Sequence, residues 1–350
     1  MRLRRVLVVG SHLGYVHQMD AGIIGGFRSI GCEVEAFDYR ASALAPAWLK
    51  RLIPHNLRHR LSPRRFAGVD RVEKQASSRQ FDSHVAAFRP ELVFALQAER
   101  LAPESVQAAR RLRAVTINWI GDEPWRYTPP EIVPAYDLWA VIDPTWQEWL
   151  AEHGAKRTEH LPVACDPRAH QPVELSEADQ RRWASRLCFI GGYSEDRERT
   201  LAPVADLGLA IWGPGWDNAR IPEIRSCVRE SRLLTEKEWK RAYAAADVVL
   251  NIHAQGEECL NMRVFEALGM GVCLLSDYRR DIDRVLNGVV ASFRTAQEMR
   301  QQAQQLLADP ARRRELAVSG RGEAIARHTF THRASQVIEW AESLASAVKR

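Results

Sequence analysis

No stretch of the 350-residue sequence holds the ~18 uninterrupted apolar residues that a membrane-spanning helix needs. The start, Met1-Arg2-Leu3-Arg4-Arg5, leads into an apolar run of only Val6 to Val9 before Gly10. That run is too brief for a signal-peptide core, so a cytoplasmic protein is expected. Cysteine is sparse, and Cys32, Cys165, Cys188, Cys227, Cys259 and Cys273 form no C-x-x-C pair. They read as reduced, buried thiols rather than a disulfide frame or zinc site. Short repeats and low-complexity tracts are missing too. With 46% apolar and 27% charged residues the composition is that of a folded globular chain. At ~150 residues per domain, the length suits two.

The formal charge of +5 is modest but uneven. Lys50, Arg51, Arg58, Arg60, Arg64, Arg65, Arg71 and Lys74 are opposed only by Asp70 and Glu73. Trp48, Leu49, Leu52, Ile53, Leu57, Leu61 and Phe66 are interleaved with them. One reading of residues 48–74 is peripheral contact with an anionic membrane at its inner face, or attraction of a phosphate-bearing partner. The other is a solvated helical excursion whose apolar side covers its own domain. No nucleic-acid partner is expected, because no zinc-finger spacing or RNA-recognition signature accompanies the patch.

Strand-like and helix-like segments alternate, the pattern of parallel α/β sheets. Strands are expected at Arg5–Gly10, Glu33–Phe37, Glu91–Leu96, Ala114–Trp119, Asp137–Ile142 and Glu159–Val163, with helices at Gln18–Ile30, Pro103–Leu112 and Pro144–His153. Pro167, Pro172 and the polar run Glu174 to Arg182 read as a linker. A second series follows at Leu187–Ile190, Leu209–Trp212, Val248–Ile252, Val272–Ser276 and Val289–Phe293, and Thr331–Lys349 reads as an amphipathic helix. The expected organisation is an N-terminal Rossmann-like domain over 1–165, a second over 166–330, and a terminal helix, 331–350, packing back toward the first. Doubly wound sheets bind ligands beyond the carboxyl ends of their strands.

The most informative stretch runs from Asn251 to Gly271. A buried strand ends near Ile252, a polar loop follows, and Asn261 is placed to cap a helix that stops at Gly269 or Gly271. The amino end of that helix suits an anionic ligand such as a diphosphate. Glu258 stands in the loop and Glu266 inside the helix, both able to accept hydrogen bonds from sugar hydroxyls. Each also has a plainer reading as a surface carboxylate, and Arg263 as an ion-pair partner of Glu266. His253 lies at the strand end beside this site. Asp122, in Ile117-Asn118-Trp119-Ile120-Gly121-Asp122-Glu123-Pro124, is either a turn carboxylate or a cleft residue.

Glu258-x7-Glu266 followed by Ala267-Leu268-Gly269 resembles the Glu-x7-Glu motif of retaining glycosyltransferases with the GT-B fold. Asn261-x-Arg263-x-Phe265-Glu266-Ala267 is similar to the spore-maturation, CgeB-like branch. Phe189-Ile190-Gly191-Gly192 with Arg197 and Arg199, and Trp212-Gly213-Pro214-Gly215-Trp216, resemble further family segments. The resemblance implies an α/β GT-B fold, two Rossmann-like doubly wound domains facing each other across a cleft, the acceptor domain over 1–165 and the nucleotide-sugar donor domain over 166–330. It implies transfer of a sugar, with retention, from a nucleotide sugar to an acceptor that could be a glycan, a lipid-linked species, a protein or a small molecule. No metal or other cofactor is implied. Glu266 would bind the donor ribose, Glu258 would meet the transferred sugar, and Arg197 or Arg199 would grip the diphosphate. Asn261, Arg263, Gly191, Gly192 and His253 would line the donor site. Asp122 is the nearest polar candidate where many relatives carry a first-domain histidine. A GT-B-like protein that binds a nucleotide sugar or a partner without transfer is the alternative.

Overall fold

The computed structural model describes residues 3–10, 17–39, 63–97 and 101–347. Residues 48–62 of the basic stretch lie outside the described residues. The chain forms two compact units, Met1–Leu161 with Phe330–Arg350, and Pro162–Thr329.

In the first unit β1 (Arg5–Gly10), β2 (Glu33–Asp38), β3 (Leu92–Leu96), β4 (Val115–Ile120), β5 (Leu138–Val141) and β6 (Thr158–His160) form one sheet, ordered β2-β1-β3-β4-β5-β6. Every pairing is parallel. All residues of β3 and β4 are buried, as expected where helices cover both faces of a sheet. The crossovers use α1 (His17–Ser29), α2 (Pro63–Phe88), α3 (Pro103–Arg111), α4 (Pro124–Tyr127) and α5 (Trp146–Glu152). The C-terminal helix Phe330–Ala347 packs on α1 and β4. Its approach depends on Gly22 and Gly26, where a Cβ would collide with Phe330. The helix expected from Pro144 begins later, at Trp146, because the Asp143 carboxylate accepts from the Thr145 amide and hydroxyl and holds a turn there.

The second unit holds β7 (Ser185–Ile190), β8 (Leu209–Trp212), β9 (Val228–Glu230), β10 (Ala246–Asn251), β11 (Leu274–Asp277) and β12 (Ala291–Phe293), ordered β12-β11-β10-β7-β8-β9. This sheet too is parallel throughout. Its helices are α6 (Glu177–Trp183), α7 (Glu195–Leu201), α8 (Pro222–Cys227), α9 (Glu236–Ala244), α10 (Met262–Met270), α11 (Arg280–Arg284), α12 (Ala296–Ala308) and α13 (Pro310–Arg327). Helix α6 replaces part of the expected linker. The Ser176 side chain caps it by accepting from the Asp179 amide, and Trp183 is buried at its end. Strand β9, only Val-Arg-Glu, is too short and polar to have been read as a strand. The core is built from Leu187, Phe189, Ile211, Trp216, Val248, Leu250, Leu275 and Met299. Among the described residues no helix is long and apolar enough to cross a membrane.

Both sheets are doubly wound. In the second, the chain builds outward from β7 through β8 to β9, then returns to lay β10 on the opposite side of β7. The strand order therefore reverses between β7 and β10, the kind of position at which doubly wound sheets take their ligands.

Candidate functional site

Two loops leave the sheet at that reversal, Gly191-Gly192 after β7 and residues 252–261 after β10. Arg197, on α7, ties them together. Its Nη1 donates to the Gly192 carbonyl at 2.9 Å and its Nη2 to the Ile252 carbonyl at 2.8 Å. Burial pushes the Arg197 pKa down from its ordinary value, against the opposing pull of the Asp277 carboxylate. A guanidinium held by carbonyl oxygens keeps its positive charge on offer to an anion. Gly191 leaves it room, since a Cβ there would stand 2.9 Å from Phe189 Cζ and 3.4 Å from Arg197 Nη1. Gly213, at φ 138°, lies so close that a Cβ would strike the Gly191 carbonyl oxygen. Trp216 Nε1 donates to the same oxygen at 2.8 Å.

Helix α10 starts beside this junction. Asn261 caps it, its Oδ1 accepting from the Val264 amide at 3.3 Å, and Gly271 at φ 70° ends it. A polar network aims its first turn. The Asn261 amide donates to His253 Nε2 at 3.1 Å, and His253 Nδ1 meets Asp277 Oδ1 at 2.6 Å. An amide N–H can only donate, so Nε2 carries the lone pair and Nδ1 the proton. Asn261 Nδ2 donates to Asn251 Oδ1 at 3.1 Å, and Asn251 Nδ2 to Ser276 Oγ at 3.0 Å. Burial is the largest influence on Asp277 and raises its pKa, but the hydrogen bonds from His253 and the nearby positive charge of Arg279 together outweigh it and hold the carboxyl below its ordinary range. The carboxyl ends of β10 and β11 are thereby bonded to the amino end of α10.

Residues 197–339 match the family model described as glycosyl transferase-like. The matched segment is glycosyltransferase-like. It begins at Arg197 and contains all of α10. No curated protein matches the sequence significantly. Among solved structures, sucrose-phosphate synthase from Thermosynechococcus elongatus shares the fold with a TM-score of 0.66 and 15% identity, over 98% of this chain and 100% of that one. A structure described as trehalose-6-phosphate from E. coli bound with UDP-2-fluoro glucose aligns with a TM-score of 0.62 at 11% identity, over 96% and 98%. A UDP-N-acetylglucosamine 2-epimerase aligns with a TM-score of 0.58 at 12% identity, over 100% and 98%. The fold is that of the GT-B class, two Rossmann-like units with parallel six-stranded sheets.

The structure assembles Gly191, Gly192, Arg197, His253, Asn261 and Glu258 around the β7–β10 reversal, and refines several expectations. His253 is buried with both ring nitrogens engaged, so it positions α10 instead of offering a ligand group. Arg199 turns outward and pairs with Asp196 at 2.5 Å on its own helix, leaving Arg197 as the arginine at the junction. Arg263 bonds Glu266 Oε2 at 2.9 Å and lies over the Trp239 ring at 5.1 Å. Glu266 is buried, its carboxylate facing that guanidinium. Glu258 accepts from Arg280 at 3.1 Å and Arg284 at 2.6 Å, and the Arg284 bond chiefly holds its carboxyl below the usual range. Asp122 stands half-buried just beyond the carboxyl end of β4 in the first unit.

Sequence reasoning missed Asp277, Arg279 and the Arg280/Arg284 pair. Arg279 braces the loop, donating to the Gly256 carbonyl at 2.7 Å and to Asp277 Oδ2 at 3.0 Å. The only signal in the sequence was the run Asp277-Tyr278-Arg279-Arg280 directly after a strand. Among the described residues no three His, Cys, Asp or Glu side chains are grouped to hold a metal ion.

Proposed function

We propose that the protein transfers a sugar, with retention, from a nucleotide sugar held at the β7–β10 reversal to an acceptor, as the CgeB-like branch is expected to do. The observation that carries this reading is the joint presence there of the half-buried Arg197 guanidinium and the first turn of α10. Cleavage of the sugar–phosphate bond builds negative charge on the departing diphosphate while the sugar becomes cation-like. A fixed guanidinium and a helix amino end stabilise that charge without having to reorganise. Glu266 is assigned to the donor ribose and Glu258 to the transferred sugar. Each would exchange an arginine bond for hydroxyl donors as the donor enters. The nucleotide sugar is a substrate, and the reading needs no cofactor or metal. A cytoplasmic location with peripheral contact through residues 48–74 belongs to the same reading. Flotation on phosphatidylserine vesicles that ignores charge reversal at Arg58, Arg60, Arg64 and Arg65 removes that part.

A second reading, a nucleotide-sugar-binding protein without transfer, is favoured by one observation: Glu258 and Glu266 are both engaged by arginines. Incubation with a panel of UDP-, GDP-, TDP- and ADP-sugars, followed by mass spectrometry, separates the two. Transfer or hydrolysis that vanishes in Glu258→Ala supports the enzyme. Tight binding with no turnover on any donor supports the alternative.

A further inference from the structure

One carboxylate in the loop between β10 and α10 serves two guanidinium groups. Glu258 Oε1 accepts from Arg280 Nη1 at 3.1 Å, and its Oε2 accepts from Arg284 Nη2 at 2.6 Å. Both arginines stand on α11, the short helix that follows β11. The main chain bolts that helix to the loop, since the Asp281 amide donates to the Glu258 carbonyl at 3.1 Å. Arg279, one residue ahead of α11, adds bonds to the Gly256 and Glu257 carbonyls at 2.7 and 3.3 Å. The two arginines are therefore held in a fixed place against the loop.

They are not equivalent. Arg284 has a second carboxylate, the buried Asp281, at 3.3 Å. Among the described residues Arg280 pairs with Glu258 alone and spends one N–H group on it. A guanidinium carries five N–H donors in a planar fork. The Arg280 side chain is 69% exposed, so its remaining donors open to the surface beside the loop.

This arrangement bears on which sugar the loop takes. A hydroxyl recognised by a carboxylate donates to it, but both Glu258 oxygens already hold a guanidinium. What the loop offers at this point is mainly N–H donors, a poor match for a neutral hexose. If a sugar hydroxyl displaces one guanidinium from Glu258, Arg284 keeps Asp281 whereas Arg280 keeps no carboxylate. The group Arg280 then needs is a charged acceptor, and a carboxylate matches its fork with two parallel bonds. A hexuronic acid supplies both parts, hydroxyls for Glu258 and a carboxylate for Arg280. Phosphate also suits arginine, but the diphosphate already has Arg197 and the first turn of α10 at the β7–β10 reversal.

We propose that the donor is a nucleotide hexuronate, and that Arg280 recognises the carboxylate of the transferred sugar while Arg284 keeps Glu258 in place. The inference rests on the nucleotide-sugar reading given above. Its test is isothermal titration of the full chain with matched donors, identical except that a hydroxymethyl group is replaced by a carboxylate. The pairs are UDP-glucose and UDP-glucuronic acid, UDP-galactose and UDP-galacturonic acid, and GDP-mannose and GDP-mannuronic acid. UDP, GDP, TDP-glucose and ADP-glucose are titrated alongside. The hexuronate of at least one pair binds about tenfold or more tightly than its neutral counterpart, the margin a charge-assisted contact supplies. Arg280→Ala removes that preference and leaves affinity for the free nucleotide within about twofold. Arg280→Lys, which keeps the charge but not the fork, retains part of it. An exposed ion pair adds little to stability, so these variants fold, and cooperative melting checks that they do. Equal affinity within every pair overturns the proposal, as does tightest binding by any neutral sugar. A preference that survives Arg280→Ala overturns it too. If Arg280→Ala weakens free UDP or GDP as much as the hexuronate, Arg280 grips the diphosphate and the proposal falls. No binding by any nucleotide or nucleotide sugar sinks the donor reading itself, and this inference with it.

Discussion

Replacing His253 with Phe is the sharpest probe of how the second unit aims α10. The two rings are similar in size and the His253 side chain is only 1% exposed, so packing is largely kept. What goes is the Nδ1 donor to Asp277 at 2.6 Å and the Nε2 acceptor of the Asn261 amide at 3.1 Å. Asp277 retains Arg279 at 3.0 Å, so its charge is not stranded, but it loses its shortest bond. A buried donor or acceptor left without its partner costs ~1–3 kcal/mol, so the two together amount to about 2–6 kcal/mol. For a unit of this size each kcal/mol moves the melting temperature by ~2–4 °C, giving a fall of at least about 4 °C. Differential scanning calorimetry at neutral pH reads it directly. His253→Gln, whose amide can both donate and accept, should recover part of the loss. A His253→Phe protein that melts within about 1 °C of wild type would refute the reasoning.

Three further outcomes follow from buried contacts. His170 is buried with Nδ1 accepting from the Asp166 amide at 3.0 Å, and burial lowers its pKa, partly offset by Glu266. The unfolded chain therefore takes up a proton first as pH falls below ~6.5, and stability drops by up to ~1.4 kcal/mol per pH unit until the folded histidine titrates. Urea melts from pH 7.5 down to pH 5 should show this slope, and His170→Gln should flatten it. Gly213→Ala, forced against the Gly191 carbonyl at φ 138°, should abolish folding of the second unit, whereas Gly192→Ala has its nearest neighbour at 3.8 Å and should melt like wild type. Soluble expression and circular dichroism compare the two. Asn118 on β4 is fully buried, and neither amide atom has a partner among the described residues. Asn118→Leu should raise first-unit stability by ~1 kcal/mol in denaturant titration, and a fall would show that the amide is satisfied.

Much of this was legible in the sequence because it is encoded locally. The cap at Asn261 and the glycine stop at Gly271 are read from single residues bounding an apolar helical pattern, and the structure uses both. Parallel strands such as Leu92–Leu96 are apolar runs that need both faces covered, so all but the short, polar β9 could be listed in advance. The legible part ended where partners are far apart along the chain. His253 bonds Asp277, Arg197 bonds Ile252, and Glu258 meets Arg280 and Arg284, pairings that only the β7–β10–β11 arrangement creates. Arg199 and Arg197, two residues apart on one helix, looked interchangeable until α7 was placed, since helical rotation puts one at the junction and the other in solvent.

The central claim is that the β7–β10 reversal holds a nucleoside diphosphate. Thermal melting of the full chain with millimolar UDP, GDP, TDP or ADP tests it most directly. The account predicts an upward shift with at least one of them, lost in Glu266→Ala and in Arg197→Ala variants that still melt cooperatively. No shift with any of the four, or a shift that survives both substitutions, would contradict it.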